Sequence, residues 1–325
     1  MKAVKGRFFF GGVHVPDMKA LSCNAPIEEL PEPPQVTIAM NQSLGKPAIP
    51  CVNVGDTVAK GQLIAKADGA ISSNVFASIS GKVSAITSHE NENGQMAQFI
   101  VIDGDGSGNT QYMPPLSDPS AEEIIQRVKD AGIVGLGGAG FPTAVKIQPR
   151  TPVDTFIING SECEPYLTCD HRVMLEKTDE VVRGARYLAK ALGVTNIMIG
   201  IELNKPDCIA AFEKYDDIKV IALRKIYPMG GEKQLIYSAT GRKVGLGKLP
   251  ADVGVVVNNV ATCMSVCEAI ELGKPDLDSI LTVSGQSVQR TANVLAPVGT
   301  PVSYIVEYCG GEKSAPKKVL LGGPM

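Results

Sequence analysis

The chain has only three histidines (His14, His89 and His171), in no His-x-x-x-His pattern, which removes the helical two-histidine metal site from consideration. It contains no Gly-Lys-Ser/Thr, so a Walker A nucleotide loop is excluded. No apolar run approaches the roughly 18 residues of a spanning helix, and no signal peptide opens the chain. The expected compartment is therefore the cytoplasm, with any work at a membrane done by docking on other subunits. A formal charge of −3 offers no basic footprint for nucleic acid. The eight cysteines are scattered, and without a secretory signal they read as reduced thiols rather than a disulfide framework. Cys263 and Cys267 stand four apart in an expected helix with no second pair nearby, and read as small buried apolar residues. With 44% hydrophobic and 20% charged residues, the 325-residue chain is an ordinary globular sequence with room for two or three domains.

What is present centres on Gly132–Ile147. Five glycines (Gly132, Gly135, Gly137, Gly138, Gly140) fall close together and lead into Phe141-Pro142-Thr143 and Lys146. Such a run can turn backbone N–H groups towards an anion. Pro142 suits the first position of a helix, and Lys146 lies about one turn further on. The stretch reads as a phosphate cradle for a nucleotide or flavin. It contains a formal G-x-G-x-x-G, but a dinucleotide fingerprint should follow a strand. The preceding segment instead reads as a helix, with a Ser120/Glu123 capping box and Ile124, Ile125 and Val128 at helical spacing. A plain glycine-rich helix connection is the alternative.

Residues 1–112 read as an all-β barrel-sandwich hybrid, with alternating strands punctuated by Gly-Asp and Ser-Gly turns. They resemble the biotinyl/lipoyl carrier fold, but the hairpin tip Asp68–Asn74 has no lysine to bear a prosthetic arm, so an unmodified scaffold is expected. Asp103–Asn109 lacks the distal glutamate of a calcium loop and reads as linker. Residues 113–275 alternate strand and helix. Strands are expected at 155–159, 196–201, 219–223 and 253–258, and helices at 178–192, 206–214, 231–240 and 260–272. That rhythm predicts an α/β core with a mostly parallel, Rossmann-like sheet, whose ligands gather beyond the strands' carboxyl ends. Three polar loops stand at strand ends or open helices: Asn159 to Pro165, carrying Glu162 and Glu164; Tyr227 to Lys233, carrying Gly230 and Glu232; and Asn258-Asn259 to Thr262. Each also suits helix capping; together with the glycine loop they favour a site. Residues 276–325 suggest a β-grasp module, with strands near 280–284, 292–296 and 318–321 and a helix over 302–308. The ending Gly322-Gly-Pro-Met325 reads as an engineered truncation.

Taken together, Gly11–Lys19, Gly135–Thr143, Asn159–Tyr166, Tyr227–Ile236, Asn258–Thr262 and Leu321–Met325 resemble, in order and over essentially the whole chain, the RnfC family. RnfC is a cytoplasmic component of the Rnf electron-transport complex and is related to the flavin-bearing subunit of respiratory complex I. The N-terminal Gly-Gly-x-His segment and the barrel favour RnfC over that subunit. The resemblance implies noncovalent FMN exchanging hydride with NAD(H), in an ion-transporting NAD–ferredoxin oxidoreductase peripheral on the inner face of the cell membrane. Its partners would be the other Rnf subunits, with ferredoxin reached indirectly. Gly135, Gly137, Gly138 and Gly140 would cradle FMN, Lys146 would reach flavin or nucleotide, and Phe141 would stack near the nucleotide rings. Asn159, Glu162 and Glu164 would line the isoalloxazine and nicotinamide pocket, with Glu164 and Lys146 the expected catalytic pair. Tyr227, Gly230 and Glu232 would complete the nucleotide side, and Asn258, Asn259 and Thr262 would bind the FMN phosphate or ribityl chain. No metal ligand is expected.

Two departures stand out. Leu136 occupies an arginine position of the flavin-bearing subunit of complex I, and Ser161 an acidic one. The family's C-x₂-C-x₂-C-x₃-C-P runs, which supply 4Fe–4S clusters, are missing, so those clusters are expected only in a C-terminal region outside this sequence. A cobalamin reductase-like flavin enzyme and a redox-inert docking scaffold are the alternative readings.

Overall fold

The computed structural model describes residues 2–91 and 94–325. Thr155–Gly160, Asn196–Glu202, Ile218–Leu223 and Val255–Asn259 form a parallel sheet. Their near-continuous apolar runs suit strands covered on both faces. The spatial order is 255–259, 155–160, 196–202, 218–223, and Val4–Lys5 adds a parallel edge strand beside 218–223. The chain thus steps outward from 155–160 and then returns to that strand's other side at 255–259. This reversal opens a crevice beyond the carboxyl ends of the two strands, where Asn159 lies in register with Asn259.

Strand alternation divides the core. Phe156 and Ile158 face one layer with Ile124, Val182, Leu188 and Val266, while Ile157 faces the other with Leu223, Leu235 and Ile236. Helices Thr178–Leu192, Pro206–Phe212, Glu232–Thr240 and Val260–Glu271 cover the sheet close to their expected positions. Ala121–Asp130 carries the Ser120/Glu123 capping box in full. The helix Cys169–Glu176 was not legible in the sequence. The glycine run leads only into a single turn, Thr143–Lys146, with Pro142 as its cap rather than its first residue.

The barrel has its own core of Val36, Ile38, Ile64, Val75, Ile79, Val83, Ile100 and Ile102. All its strands lie between Gln35 and Gly104. The chain before them serves other units, since Ile27–Glu29 pairs parallel with Asn293–Leu295 of the C-terminal sheet. There Asp278–Val283 and Ala292–Pro297 run antiparallel under the helix Val302–Tyr308. The strand expected over 318–321 does not form: Val319 and Leu321 are 65% and 70% exposed, with no layer to bury against. No helix among the described residues is long and apolar enough to cross a membrane.

The tip where a carrier would present its lysine is turned against the glycine segment. Asn74 donates to the Asp130 carbonyl at 3.1 Å, and Leu44 N donates to the Gly140 carbonyl at 3.0 Å.

Helices 178–192 and 260–271 approach through Gly184, where a β-carbon would stand 1.7 Å from the Cys263 carbonyl oxygen. Gly184→Ala must therefore separate the helices, and we expect a loss of about 3 kcal/mol, in the upper range for overpacking, read as a lowered urea midpoint. An unchanged midpoint would contradict the packing.

Candidate functional site

The crevice at the strand reversal is walled by the glycine loop, which two devices hold in place. Leu136 N donates to Thr262 Oγ1 at 3.0 Å, and Gly135 N to the Phe141 carbonyl at 2.9 Å. Gly137 lies so near Asn259 that a β-carbon would meet Asn259 Nδ2 at 2.6 Å. Gly140, at φ +63°, would press a β-carbon onto the Gln42 carbonyl at 2.8 Å. Gly138 faces open space. Gly137 and Gly140 are therefore required by close approach, and the loop's exposed crest, Gly137-Gly138-Ala139, carries nothing larger than a methyl group.

Asn259 is both cap and wall. Its Oδ1 accepts from Ala261 N at 2.7 Å at the start of helix 260–271, while its Nδ2 donates to Asp170 at 2.7 Å. Asn258 is buried, and its Nδ2 has no partner. Ser161 Oγ and Thr143 Oγ1 are likewise buried without partners. Buried polar atoms are rarely left unpaired, and these three lie in the segments that border the crevice: the end of strand 255–259, the residue after strand 155–160 and the turn after the glycine loop.

Some of the remaining expected residues touch one another, and others touch neighbouring segments. Asn159 Nδ2 donates to the Gly230 carbonyl at 2.9 Å, and Gly230 N to Cys163 Sγ at 3.2 Å. This joins the 155–160 strand end to the Tyr227–Glu232 loop. Lys146 and Glu232 form a partly exposed ion pair at 2.7 Å. Glu164 accepts from Met325 N at 2.8 Å, so the C-terminal segment lies against it. Tyr227 is bridged through its backbone to Val13 of the N-terminal segment. Phe141 is half-buried beside the loop.

Glu162 is placed differently from its expected position lining the pocket. At φ +47°, it turns inward and is buried. Its Oε1 accepts from Asp170 N at 2.7 Å and His171 N at 3.3 Å, capping helix 169–176, where its charge also meets the helix dipole. Its Oε2 faces Lys19 at 3.4 Å and Lys205 at 3.9 Å. Both lysines also hold the loop's backbone: Lys205 donates to the Ser161 carbonyl at 2.7 Å, and Lys19 to the carbonyls of Glu164 and Leu167. Sequence reasoning gave Lys19, Asp170, Glu202 and Lys205 no role at the site. Glu202 ends the 196–202 strand, so the strand-end criterion used for Asn159 would have found it.

Three family models match successive parts of the chain. Residues 7–107 match the RnfC barrel sandwich hybrid domain, 128–268 the Nuo51 FMN-binding domain and 280–325 the SLBB domain. The chain is 44% identical to the C subunit of the proton-translocating ferredoxin:NAD(+) oxidoreductase complex of Clostridium ljungdahlii, covering 98% of this chain and 71% of that protein. It is 42% identical to the C subunit of the ion-translocating oxidoreductase complex of Rhodobacter capsulatus, across 97% of this chain and 63% of the relative. For the Na(+)-translocating counterpart of Acetobacterium woodii the identity is 40%, over 99% and 75%. Among solved structures, the H2-reduced NAD+-reducing [NiFe]-hydrogenase shares the fold over 59% of this chain and 39% of its own, with TM-score 0.52 and 24% identity.

Three carboxyl groups stand around this region, Glu202 buried and Asp170 and Asp276 half-buried. Asp276, whose carboxylate accepts from Val134 N at 3.4 Å where the glycine segment begins, is pushed up to about 7 by burial. Asp170 is pushed up to about 7 by burial and then by Glu162, and Glu202 to about 7 by burial. A carboxyl raised above its unfolded value of roughly 4 binds more protons folded than unfolded. Its stabilising contribution is full below that value and is lost as pH rises through about 7. We expect the melting temperature to fall between about pH 5 and pH 8, and less steeply in Asp276→Asn. Equal slopes in the two proteins would contradict the burial of Asp276.

Near-complete alignment with these relatives, domain by domain, shows that the chain belongs to the RnfC family of Rnf-type ion-translocating oxidoreductase complexes.

Proposed function

We propose that this chain is the FMN- and NAD(H)-binding part of an Rnf-type NAD–ferredoxin oxidoreductase, peripheral to the membrane through its partner subunits. The observation that carries the reading is the crevice at the strand reversal, where the glycine loop packs through Gly137 against Asn259 and the preceding residue of that strand end, Asn258, holds an unpaired buried donor. The donor set fits FMN. Asn258, Thr143 and the loop backbone would receive the phosphate and ribityl hydroxyls, and Ser161 with the Asn159–Gly230 pair would border the isoalloxazine. When bound, FMN supplies the redox chemistry, taking two electrons from a nicotinamide as hydride and passing them on singly.

The protein's own contribution is to bind, orient and exclude. Lys146, locked to Glu232, sets positive and negative charge side by side at the mouth, suiting a nucleotide's phosphate and ribose hydroxyls. Glu164, anchored near the pocket by the Lys19 hold on its carbonyl, offers a carboxylate to the carboxamide or ribose. Phe141 gives the mouth an apolar face for ring stacking. None of these groups is required to take a proton from the substrate. Electrons would leave to 4Fe–4S clusters carried by the C-terminal region of longer family members, and from there to ferredoxin. The three-unit division at 112/113 and 275/276 belongs to the same proposal, with residues 2–30 as a strap tying the outer units to the core sheet.

Replacing Asn258 by Ala removes an unpaired group, so the ligand-free chain should lose little stability. FMN affinity, read by quenching of flavin fluorescence, should fall about tenfold, the worth of one hydrogen bond of roughly 1–1.5 kcal/mol. Lys146→Ala and Glu164→Gln should keep FMN but slow its reduction by NADH in stopped-flow absorbance. Unaltered FMN affinity in the first variant, or unaltered reduction rates in both others, would overturn the assignment.

A further inference from the structure

Beyond the neighbouring strand ends, those of 196–202 and 218–223, lies a second cavity of about 310 Å³. It is roofed by the N-terminal segment, where Val13 and Tyr227 exchange both backbone hydrogen bonds at 2.8 and 3.0 Å and Asp17 accepts from Tyr166 N. Cys163 and Tyr227 line the cavity, and Cys163 Sγ accepts from Gly230 N, whose carbonyl is in turn held by Asn159 at the end of strand 155–160. Glu202 forms part of its floor, and that side chain is 1% exposed with Oε1 unpartnered.

The charges facing Glu202 balance. Lys205 stands 3.8 Å from its Oε2, and Lys19 and Glu162 lie behind it. Across the cavity Lys225 is paired with Asp17 at 2.9 Å, and His14 completes the rim. With three lysines matching three carboxylates, the chamber has no net charge to offer an ionic ligand. The group still lacking a partner is a carboxyl oxygen almost closed off from the chamber, which its own proton can satisfy. A polar chamber of this size holds several waters.

We propose that this chamber is a water-filled proton-exchange compartment behind the flavin pocket, in which the Glu202 carboxyl group takes up and releases the protons that accompany flavin redox chemistry. The inference rests on the flavin reading above. Reduction of FMN by NADH consumes one proton beside the hydride, giving FMNH2 and NAD+. Removal of both electrons, one at a time, by one-electron acceptors such as iron–sulfur centres returns FMN and two protons. On that reading the Asn159–Gly230 pair would stand between a bound isoalloxazine and the chamber, and protons leaving on that side would need a path. Glu202 shares the chamber with Cys163, which is bonded to Gly230, and burial raises its proton affinity into the neutral range, where it exchanges in both directions.

The test has two parts on the same chain. In the ligand-free protein with 13C-carboxyl-labelled glutamate, one resonance should titrate near neutrality and be missing from Glu202→Gln. In the FMN-loaded protein, reduced and then oxidised by ferricyanide, a pH-indicator dye should show proton release slowed about a hundredfold in Glu202→Gln, the scale of a lost acid–base group, with FMN affinity unchanged. Should Glu202→Gln fold poorly, Val15→Phe fills the chamber, leaves Glu202 in place, and should slow release likewise. Titration of Glu202 in the ordinary carboxyl range, or proton release at the parent rate in a folded variant, overturns the proposal. If FMN does not bind at all, the flavin reading fails, and a Glu202 titrating near neutrality would then uphold only the chamber's exchange with solvent and overturn its role towards the flavin.

Discussion

Glu162 is a carboxylate turned inward at a left-handed backbone position, and much of the pocket's geometry follows from how its charge is met. Two amides at the start of helix 169–176 and two buried lysines surround it. Burying such a charge is tolerable only when it is paired and hydrogen-bonded, and removing one partner from such a set costs about 3–5 kcal/mol. The pairing has consequences at a distance. Helix 169–176, fixed by Glu162, presents Asp170; Asp170 holds Asn259; Asn259 stands against Gly137. The loop 161–167 is fixed at the same time, because Lys19 and Lys205 bind its carbonyls as well as its carboxylate. One buried charge thus determines both walls of the crevice.

The second determinant is topology. A parallel sheet whose strand order reverses beside 155–160 must leave a gap at that point, and the residues at the two strand ends are amides rather than apolar groups. The glycine loop then crosses the gap without a phosphate-binding helix of useful length behind it, since only one turn follows. On the proposed reading, anion binding at this loop would rest on backbone, Asn258 and Thr143 more than on the dipole of the turn that follows it. Barrel and N-terminal strap complete the enclosure: the barrel braces Gly140 through Leu44, and the strap brings in Lys19.

Much of this was legible in the sequence because it is local. Uninterrupted runs such as Thr155–Ile158 and the Ser120/Glu123 box announce their own structure, and the cluster of polar residues at strand ends pointed to the crevice. Three features were hidden. The short helix 169–176 has no capping residue of its own, because its cap, Glu162, comes from the preceding loop. The inward turn of Glu162 depends on Lys19 and Lys205, which lie 143 and 43 residues away in sequence. The exposed tail 318–321 has strand-like composition but no sheet edge to join, a fact visible only in three dimensions.

The central claim is that these 325 residues bind FMN and exchange electrons with a nicotinamide. An anaerobic absorbance titration of the FMN-reconstituted chain with NADH tests it most directly. The account predicts bleaching of the flavin band with one NADH consumed per flavin; a chain that folds but neither retains FMN nor allows its bleaching would contradict it.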